Sequence, residues 1–351
     1  MIQLDGSHGE GGGSILRQAL SLSILTGKDF SVRNIRSSRQ NPGLAPQHLA
    51  SLRAAAKICG ATMWGDQIGS TEIYFKPGKL KGGSQFIDIG TAGSATLLLQ
   101  SILLPCVFSK KKVSITVRGG TDVFWSQPFD YFKGVFIPQL RRYADIDAGL
   151  FARGYYPKGG GEIKVSVSSR KSPDEYLDPI ILSSQPKLLQ VRGVSHASAD
   201  LEPAQVSERQ ADSAKLRLKG IGVPVTISHE YSKSESTGSG ITLWAVFGDD
   251  EIDFTNPTIL GASSLGERGK KAETVGIEAA DLLQKAIDSG ACADEHLADQ
   301  LIPCLGLAGG VIKTSAITNH VLSNIHVAEL FLGVKFEVKD NIVSCNVMAR
   351  E

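Results

Sequence analysis

The chain contains 351 residues, of which 42% are hydrophobic and 21% are charged, the composition of an ordinary globular protein. Its 37 basic and 36 acidic residues give a formal net charge of +1, which excludes a protein that coats nucleic acid through bulk positive charge. Three stretches, 30–65, 89–121 and 300–328, nevertheless hold ten basic residues and no Asp or Glu. We therefore predict that any site for phosphate or nucleic acid is a locally positive cleft.

Cysteine usage and apolar segments indicate the cellular compartment. The five cysteines show no CxxC spacing and are odd in number, which argues against a zinc knuckle and against a disulfide framework. Residues 1–30 lack the pattern of a signal peptide, because Asp5, His8 and Glu10 interrupt any apolar run. The longest apolar segment, 97–108, is too short to span a bilayer. We expect a cytoplasmic protein with buried thiols.

Hydrophobic periodicity predicts a βαβαββ unit that occurs three times. The first unit comprises strand 2–4, helix 14–26, strand 30–36, helix 45–59 and strands 61–66 and 71–76. The second comprises strand 85–89, helix 94–107, strand 112–118, helix 127–142 and strands 143–149 and 161–168. The third comprises helix 296–308, strand 311–316, helix 319–332 and strands 334–339 and 342–347, with its first strand expected at 178–182 or 256–262.

The segment 187–263 does not follow this period and has elements of its own. These are strands at 188–194, 223–229 and 240–247 and a charged helix at 205–219. We therefore predict an α/β (α+β) fold in which three repeated βαβαββ units form a catalytic core of residues 1–184 and 264–351. A smaller α/β domain is expected to be inserted at 185–263.

A glycine-rich run at residues 9–13 joins the first strand to the first helix and contains one carboxylate, Glu10. Consecutive glycines let the backbone approach an anion, and the N–H groups of a helix N-terminus favour a phosphate there. The run is neither a Walker A loop nor a GxGxxG motif, and a simple tight turn is the alternative. A carboxylate among exposed amides and near arginines suits a divalent metal, so Glu10 is a candidate metal ligand.

Side chains that suit phosphate binding follow at the strand and helix ends of the same unit: Arg17, Arg36, Arg39, Gln47 and His48. Arginine binds phosphate bidentately through its planar guanidinium group. Each arginine taken alone is better explained as a solvated surface residue. Their placement at adjacent element ends of one unit predicts a phosphate-binding pocket.

The predicted helix 296–308 carries the first of two histidines of interest. His296, Asp299 and Gln300 lie at positions i, i+3 and i+4 and therefore share one face. Pro303 has no N–H to donate to the carbonyl of Asp299, so we expect the helix to kink there.

His320 lies just inside the next predicted helix, with Thr318 as the expected N-cap. A helix N-terminus disfavours imidazolium and attracts anions, so a neutral histidine there could attack a phosphorus atom. For either histidine, an ordinary hydrogen-bonded role in the structure is the alternative.

Four motifs resemble those of the RNA 3′-terminal phosphate cyclases, and they occur in the order found in that family. They are Asp5-Gly6 with the following Gly-Glu-Gly-Gly-Gly, Arg118-Gly119-Gly120-Thr121-Asp122, residues 153–163 (RGYYPKGGGEI) and residues 295–301 (EHLADQL). The resemblance covers essentially the whole chain. It implies three βαβαββ units resembling the C-terminal domain of translation initiation factor 3, plus one inserted domain.

The resemblance also implies a reaction. Family members use ATP and a divalent metal, Mg²⁺ or Mn²⁺, to activate an RNA 3′-terminal phosphate. A histidine attacks the α-phosphate of ATP to give a covalent histidinyl-AMP, and the AMP then passes to the RNA 3′-phosphate. The vicinal 2′-hydroxyl displaces AMP and leaves a 2′,3′-cyclic phosphate. The expected partners are therefore ATP and an RNA with a 3′-terminal phosphate.

Transferred residue by residue, the family pattern makes His320 the nucleophile and Glu10 the metal ligand. His296 takes the place of a tyrosine that stacks on adenine, and Gln127-Pro128 stands where the family has a proline pair. The full ATP-binding set is Gln100, Gln127, Pro128, His296, Asp299 and Gln300. The residues matched to phosphate or RNA-end binding are Arg17, Arg36, Arg39, Gln47 and His48.

Two other functions are considered. A non-catalytic RNA-binding relative that acts in ribosome assembly would lack the nucleophilic histidine, whereas this chain has His320. An enolpyruvyl transferase is built from similar repeats, but its characteristic motifs do not occur in this sequence.

Overall fold

The structure is a computed structural model that describes residues 1–9, 12–172, 174–249 and 251–347. Its first sheet contains β1 (Ile2–Asp5), β2 (Phe30–Arg33), β4 (Ile73–Lys76) and β3 (Thr62–Trp64), in that spatial order. β1 and β2 run parallel, and β4 runs antiparallel to both of its neighbours.

Two further sheets repeat this strand order and these directions. The second contains β5 (Gly83–Asp88), β6 (Val113–Gly119), β8 (Gly161–Ser169) and β7 (Ala144–Ala152). The third contains β9 (Ile180–Leu182), β14 (Gly310–Lys313), β16 (Ile342–Cys345) and β15 (Phe336–Lys339). The predicted mixed α/β architecture is therefore confirmed. The first strand of the third unit is the earlier of its two predicted positions.

Helices from all three units pack on one another above the sheets. They are α1 (Ser14–Thr26), α2 (Pro46–Cys59), α3 (Ala95–Val107), α8 (Glu295–Ala308) and α9 (Asn319–Leu332). Glycine ends α1, α2 and α9 in the left-handed conformation that other residues adopt reluctantly. α1 contacts α2, α3 and α9, and α8 packs against α9, so the helices share one hydrophobic core.

The predicted helix 127–142 is interrupted in the structure. It consists of α4 (Phe129–Tyr131), a π-helical stretch (Phe132–Phe136) and α5 (Ile137–Leu140). Pro138 has no N–H to donate to the carbonyl of Gly134, so one α-helical hydrogen bond is missing where the π-helical stretch passes into α5.

The inserted segment forms a fourth sheet with a second hydrophobic core. The strands are β11 (Val225–Ser232), β10 (Leu188–Ser198), β12 (Ser239–Phe247) and β13 (Ile259–Leu265), in spatial order. They are covered by α6 (Val206–Arg217) and α7 (Ala272–Asp288), and a 3₁₀ turn (Ala199–Ala204) precedes α6. The domain boundaries at 185 and 263 stay a prediction. The packing of α7 on this second core favours an inserted unit that extends to Asp288.

A buried arginine joins the second unit to the inserted sheet. Arg153 donates to both carboxylate oxygens of Asp122 at 3.1 Å, to Asp130 at 2.7 Å and to Glu230 of β11 at 2.8 Å. His196 of β10 lies against the same cluster, with Nε2 3.3 Å from Asp122 and Nδ1 2.9 Å from the hydroxyl of Tyr155. This network fixes the inserted sheet relative to the core.

In the described part of the chain, no helix has the length and apolar character needed to cross a bilayer.

Candidate active site

A cleft of about 720 Å³ lies where the helices of the three units meet. This volume is in the range of sites that hold small molecules. Helices α1 and α2 of the first unit, α3 of the second, and α8 and α9 of the third all contribute to its wall. The wall contains these predicted site residues: Arg17, Arg36, Arg39, Gln47, His48, Gln100, Gln127, His296, Asp299, Gln300 and His320.

One predicted residue that the structure describes, Pro128, is not part of that wall. It is buried at the start of α4, next to Gln127. Glu10, the predicted metal ligand, lies outside the described residues.

Four helices begin at the cleft. Gly12, Gly13 and Ser14 belong to the start of α1, and Gln47 and His48 to the first turn of α2. His296 stands in the first turn of α8 and His320 in that of α9. Helix N-termini present unpaired N–H groups and a partial positive charge. Their convergence on one cleft therefore favours an anionic ligand with several phosphates.

The charged side chains of the wall add to this positive potential. Among the described wall residues, Arg17, Arg36 and Arg39 are matched by a single carboxylate, that of Asp299. Arg36 adopts a left-handed backbone conformation (φ 52°), and its Nη1 donates to the carbonyls of Asn41 at 2.9 Å and Gly43 at 3.0 Å. Burial and the nearby charge of Arg39 lower the pKa of Arg36, and a bound anion would stabilise the charged guanidinium through its opposite charge.

His48 is held in its neutral form within this positive surround. Burial, reinforced by the charges of Arg17 and Arg36, lowers its pKa to about 3. A Cβ on Gly13 would lie only 2.1 Å from His48 Nε2, so glycine is required there for the imidazole to pack against α1. The first glycine-rich motif thus makes room for a neutral imidazole at the N-terminus of α1.

Several polar atoms of the wall have no hydrogen-bond partner within the described residues. They are Gln18 Nε2, Ser21 Oγ and His48 Nδ1, all buried. Buried polar groups are nearly always hydrogen-bonded in native proteins. The three atoms thus show that the inner wall of the cleft is polar.

His320 is positioned by the capping of α9 and by a side chain one turn further on. Thr318 accepts a hydrogen bond from Val321 N at 3.2 Å, the N-cap predicted from the sequence. Asn324, buried on the same face as His320, accepts from Ser14 Oγ at 2.8 Å and donates to the carbonyl of Asp299 at 2.9 Å. Asn324 therefore ties α9 to α1 and α8 directly below His320.

Sequence reasoning did not assign a role to Asn324. A signal was available, since an asparagine four residues after His320 interrupts the apolar face of α9. Pro303 was a second sign in the sequence, because a proline there leaves the carbonyl of Asp299 without its usual helical donor. α8 runs on as one helix through Pro303, and Asn324 replaces the missing donor.

The opposite side of the cleft is held by one contact between the second and third units and by one contact within the second unit. Asp294 caps α8 by accepting from His296 N and Leu297 N at 3.0 Å, and it also accepts from the Tyr131 hydroxyl at 2.6 Å. Thr96 of α3 donates to the carbonyl of Gln127 at 2.7 Å. These bonds place the first turn of α8 and the loop before α4 beside each other.

The sequence profile of the family described as RNA 3′-terminal phosphate cyclase matches residues 8–338. The chain belongs to this family. Proteins named RNA 3′-terminal phosphate cyclase from Archaeoglobus fulgidus and Pyrococcus furiosus are 46% and 44% identical to it, over 345 and 343 residues. The alignments cover 96% and 97% of this chain and 98% and 96% of the respective relatives. The same name is carried by a protein from Methanosarcina mazei that is 42% identical over 356 residues, or 97% of each chain. The resemblance found in the motifs, and the prediction of an enzyme of this family, are confirmed.

The cyclase motifs have two distinct locations in the structure. The glycine-rich motif and the motif at 295–301 form helix starts at the cleft. The motifs at 118–122 and 153–163 meet elsewhere, where Arg153 binds Asp122 and Thr121 accepts from Gly154 N at 2.9 Å. In this cyclase, those two motifs support the junction with the inserted sheet.

Proposed function

We propose that this protein converts an RNA 3′-terminal phosphate to a 2′,3′-cyclic phosphate at the expense of ATP, with His320 as the covalent nucleophile. The observation that carries the proposal is the position of His320. It stands at the N-terminus of α9, in a cleft whose other described charges are three arginines and one aspartate. Membership of the cyclase family supports the same reaction.

In the first step an imidazole nitrogen of His320 attacks the α-phosphorus of ATP, and the bond to the pyrophosphate leaving group breaks. The first turn of α9 and the guanidinium groups of Arg17 and Arg36 would stabilise the charge that develops on the phosphate oxygens. Neutral His48, whose pKa is about 3, would donate or accept a hydrogen bond without adding a proton at working pH.

In the second step an oxygen of the RNA 3′-phosphate attacks the phosphorus of the histidine-bound AMP, and the P–N bond breaks. That second step frees His320, and in the third step the adjacent 2′-hydroxyl attacks the 3′-phosphorus and AMP leaves. Arg39, exposed beside Arg36, and Gln47 are proposed to hold the incoming phosphate. A clamp of this kind lowers the barrier mainly by positioning two anions that otherwise repel.

The nucleoside of ATP is proposed to bind between the start of α8 and the loop before α4. His296 would stack on adenine, and Gln100, Gln127, Asp299 and Gln300 would provide polar contacts. The hydrogen bond from Thr96 to the Gln127 carbonyl fixes one side of this pocket. Pro128 is buried directly after Gln127 and is proposed to support that loop from beneath.

Among the described residues of the cleft wall, a divalent cation would find one carboxylate ligand. Asp299 is the carboxylate among the described wall residues, and Mg²⁺ commonly takes one or two protein carboxylates with phosphates and water. When bound, the metal would neutralise the phosphates and assist departure of pyrophosphate. Glu10 stays the predicted metal ligand. The five thiols, all buried and unpaired, favour the cytoplasm as the proposed location.

The deciding experiment is incubation with ATP labelled at the α-phosphate, with metal but without RNA. We expect a covalent, acid-labile protein–AMP adduct that is lost in His320→Ala. It should persist in His296→Ala, at a lower ATP affinity, and in the control His229→Ala, whose exposed side chain lies on β11 of the inserted sheet. No adduct in the unmutated protein would overturn the mechanism and favour a non-catalytic RNA-binding role. An adduct that survives in His320→Ala would overturn the residue assignment.

A further inference from the structure

Trp125 is the most solvent-exposed large hydrophobic side chain among the described residues, with 98% of its surface accessible. It also belongs to the wall of the cleft, together with Ser126 and Gln127. A side chain that lines a cleft and is fully exposed stands at its mouth. Indole is among the largest apolar groups in proteins, and leaving it in water is unfavourable.

The backbone of Trp125 is in an unfavourable conformation. Its φ of 68° lies in the left-handed region, which bulky side chains rarely adopt. Such strained residues persist where the surrounding structure dictates them, and they cluster at ligand sites.

The surrounding structure does dictate the position of Trp125. On the N-terminal side of Trp125, Asp122 is bound by Arg153. Across Trp125, the Ser126 hydroxyl donates to the carbonyl of Val123 at 3.0 Å. After it, the carbonyl of Gln127 accepts from Thr96. The indole is therefore projected from a loop that is fixed at both ends, so it is preorganised to receive a ligand.

The ligand that fits the exposed indole is a flat group that belongs to a negatively charged chain. Flatness follows from the indole, which binds nucleobases by stacking without regard to their sequence. The negative charge follows from the cleft beneath, where three arginines face one carboxylate. Under the function proposed above, an RNA strand must cross the mouth to bring its 3′-phosphate to His320.

We propose that Trp125 is a stacking platform for a base near the 3′ end of the RNA strand. This inference rests on the proposed function and extends it, because it assigns a binding site for the strand at the mouth of the cleft, on the outer side of the loop that borders the proposed ATP pocket. The bound base would cover the exposed indole, and stacking would hold the strand in the orientation that cyclisation needs.

The variants Trp125→Ala and Trp125→Phe test the platform, with Trp64→Ala as the matched control. Trp64 is also exposed, at 62%, but it lies on the edge strand β3 and does not line the cleft. The first measurement is the affinity for a fluorescent oligonucleotide with a 3′-phosphate, which requires no catalysis. Loss of one base-stacking contact should weaken binding about tenfold in Trp125→Ala. Trp125→Phe should retain most of the affinity and Trp64→Ala all of it.

A second measurement locates the contact on the RNA. Single abasic sites are placed at each of the last three nucleotides, and affinities are compared between the unmutated protein and Trp125→Ala. At one position the abasic site should weaken binding to the unmutated protein about tenfold but have little effect on the variant. Equal effects on both proteins at all three positions would overturn the platform.

The third measurement is protein–AMP formation without RNA, which Trp125→Ala should leave unchanged. A raised KM for ATP in that variant would show that the indole contacts adenine, and would overturn the inference. If the unmutated protein forms no adduct, the proposed function fails, whereas the two binding measurements still decide the role of Trp125.

Discussion

The side-chain amide of Asn324 donates to the main-chain carbonyl of Asp299 at 2.9 Å. That carbonyl is available because Pro303, four residues on, has no N–H. Asn324 also accepts from Ser14, so one buried amide links α9 to the two helices that flank His320.

Asn324→Ala should therefore remove the acceptor of the buried Ser14 hydroxyl and the side-chain donor to the Asp299 carbonyl. We expect a loss of about 1–3 kcal/mol in the free energy of unfolding and a marked drop in protein–AMP formation, because His320 loses its support. Chemical denaturation and the labelling assay measure the two effects. Asn341→Ala is the control, since its exposed amide makes only a long contact of 3.4 Å.

A double mutant tests the origin of this effect. Pro303→Ala restores an N–H that can donate to the carbonyl of Asp299, so Asn324→Ala should be less harmful in that background. Additive losses in the double mutant would show that the Asp299 carbonyl does not mediate the coupling.

Gly13→Ala should remove activity without unfolding the protein. The new Cβ would lie 2.1 Å from His48 Nε2 and 3.0 Å from Arg17 Nη1, so the imidazole must leave its position and the guanidinium group must shift slightly. We expect a drop in protein–AMP formation of at least about tenfold, with a small change in melting temperature. Gly149→Ala is the control, because its Cβ would first meet the exposed ring of Phe151 at 3.3 Å. If Gly13→Ala forms the protein–AMP adduct as the unmutated protein does, the proposed role of His48 beside α1 is refuted.

Stability should fall in mild acid because of His196. Burial, assisted by the charge of Arg153, lowers its pKa from 6.5 to about 3, although Asp122 acts in the opposite direction. Between these two values the unfolded chain binds more protons than the native one, so the free energy of unfolding decreases as the pH falls from about 6.5 towards 3. His48, also at about 3, contributes with the same sign.

The substitution His196→Gln tests this assignment by denaturation at several pH values. Glutamine keeps a donor and an acceptor but does not titrate, so stability should vary less between pH 6.5 and 4.5, even if it is lower at pH 7. The exposed His229 provides the control His229→Gln, which should keep the original pH dependence. An unchanged slope in His196→Gln would exclude His196 as its source.

Arg153→Met should destabilise the protein strongly. It would leave Asp122 and Asp130 buried without their cation, a situation that typically costs about 3–5 kcal/mol. Arg170→Met is the matched control, because Arg170 pairs with Asp145 on the surface, where ion pairs contribute about 0–1 kcal/mol. Denaturant titration compares the two, and equal small effects would show that the buried cluster tolerates loss of its charge.

The repeating architecture was predictable because each unit alternates apolar periods of two and 3.6 residues. What the sequence left open was long-range pairing. The segments 178–182 and 256–262 are both short and apolar, and only the pairing of Ile180 with Gly310 selects the first. The prediction of a single helix over 127–142 did not take into account the hydrogen bond that Pro138 removes.

α7 and the supports of the cleft were missed for related reasons. Val275, Ala279 and Leu283 have helical spacing, but small alanines between them weaken the contrast with the polar face. For the site, residue chemistry and the family resemblance together pointed to side chains that now lie on one wall, from Arg17 to His320. The roles of Asn324 and Asp294 depend on partners from other units, which no local pattern specifies.

The cleft draws on all three units, and each contributes a different chemistry. The first supplies arginines, the second Gln100 and the loop at 125–127, and the third His320. Under the proposed function, three units with the same strand order thus carry different tasks. A fragment released by cleavage between units would then be catalytically inert, and modification of ATP or RNA would begin only once the entire chain has assembled.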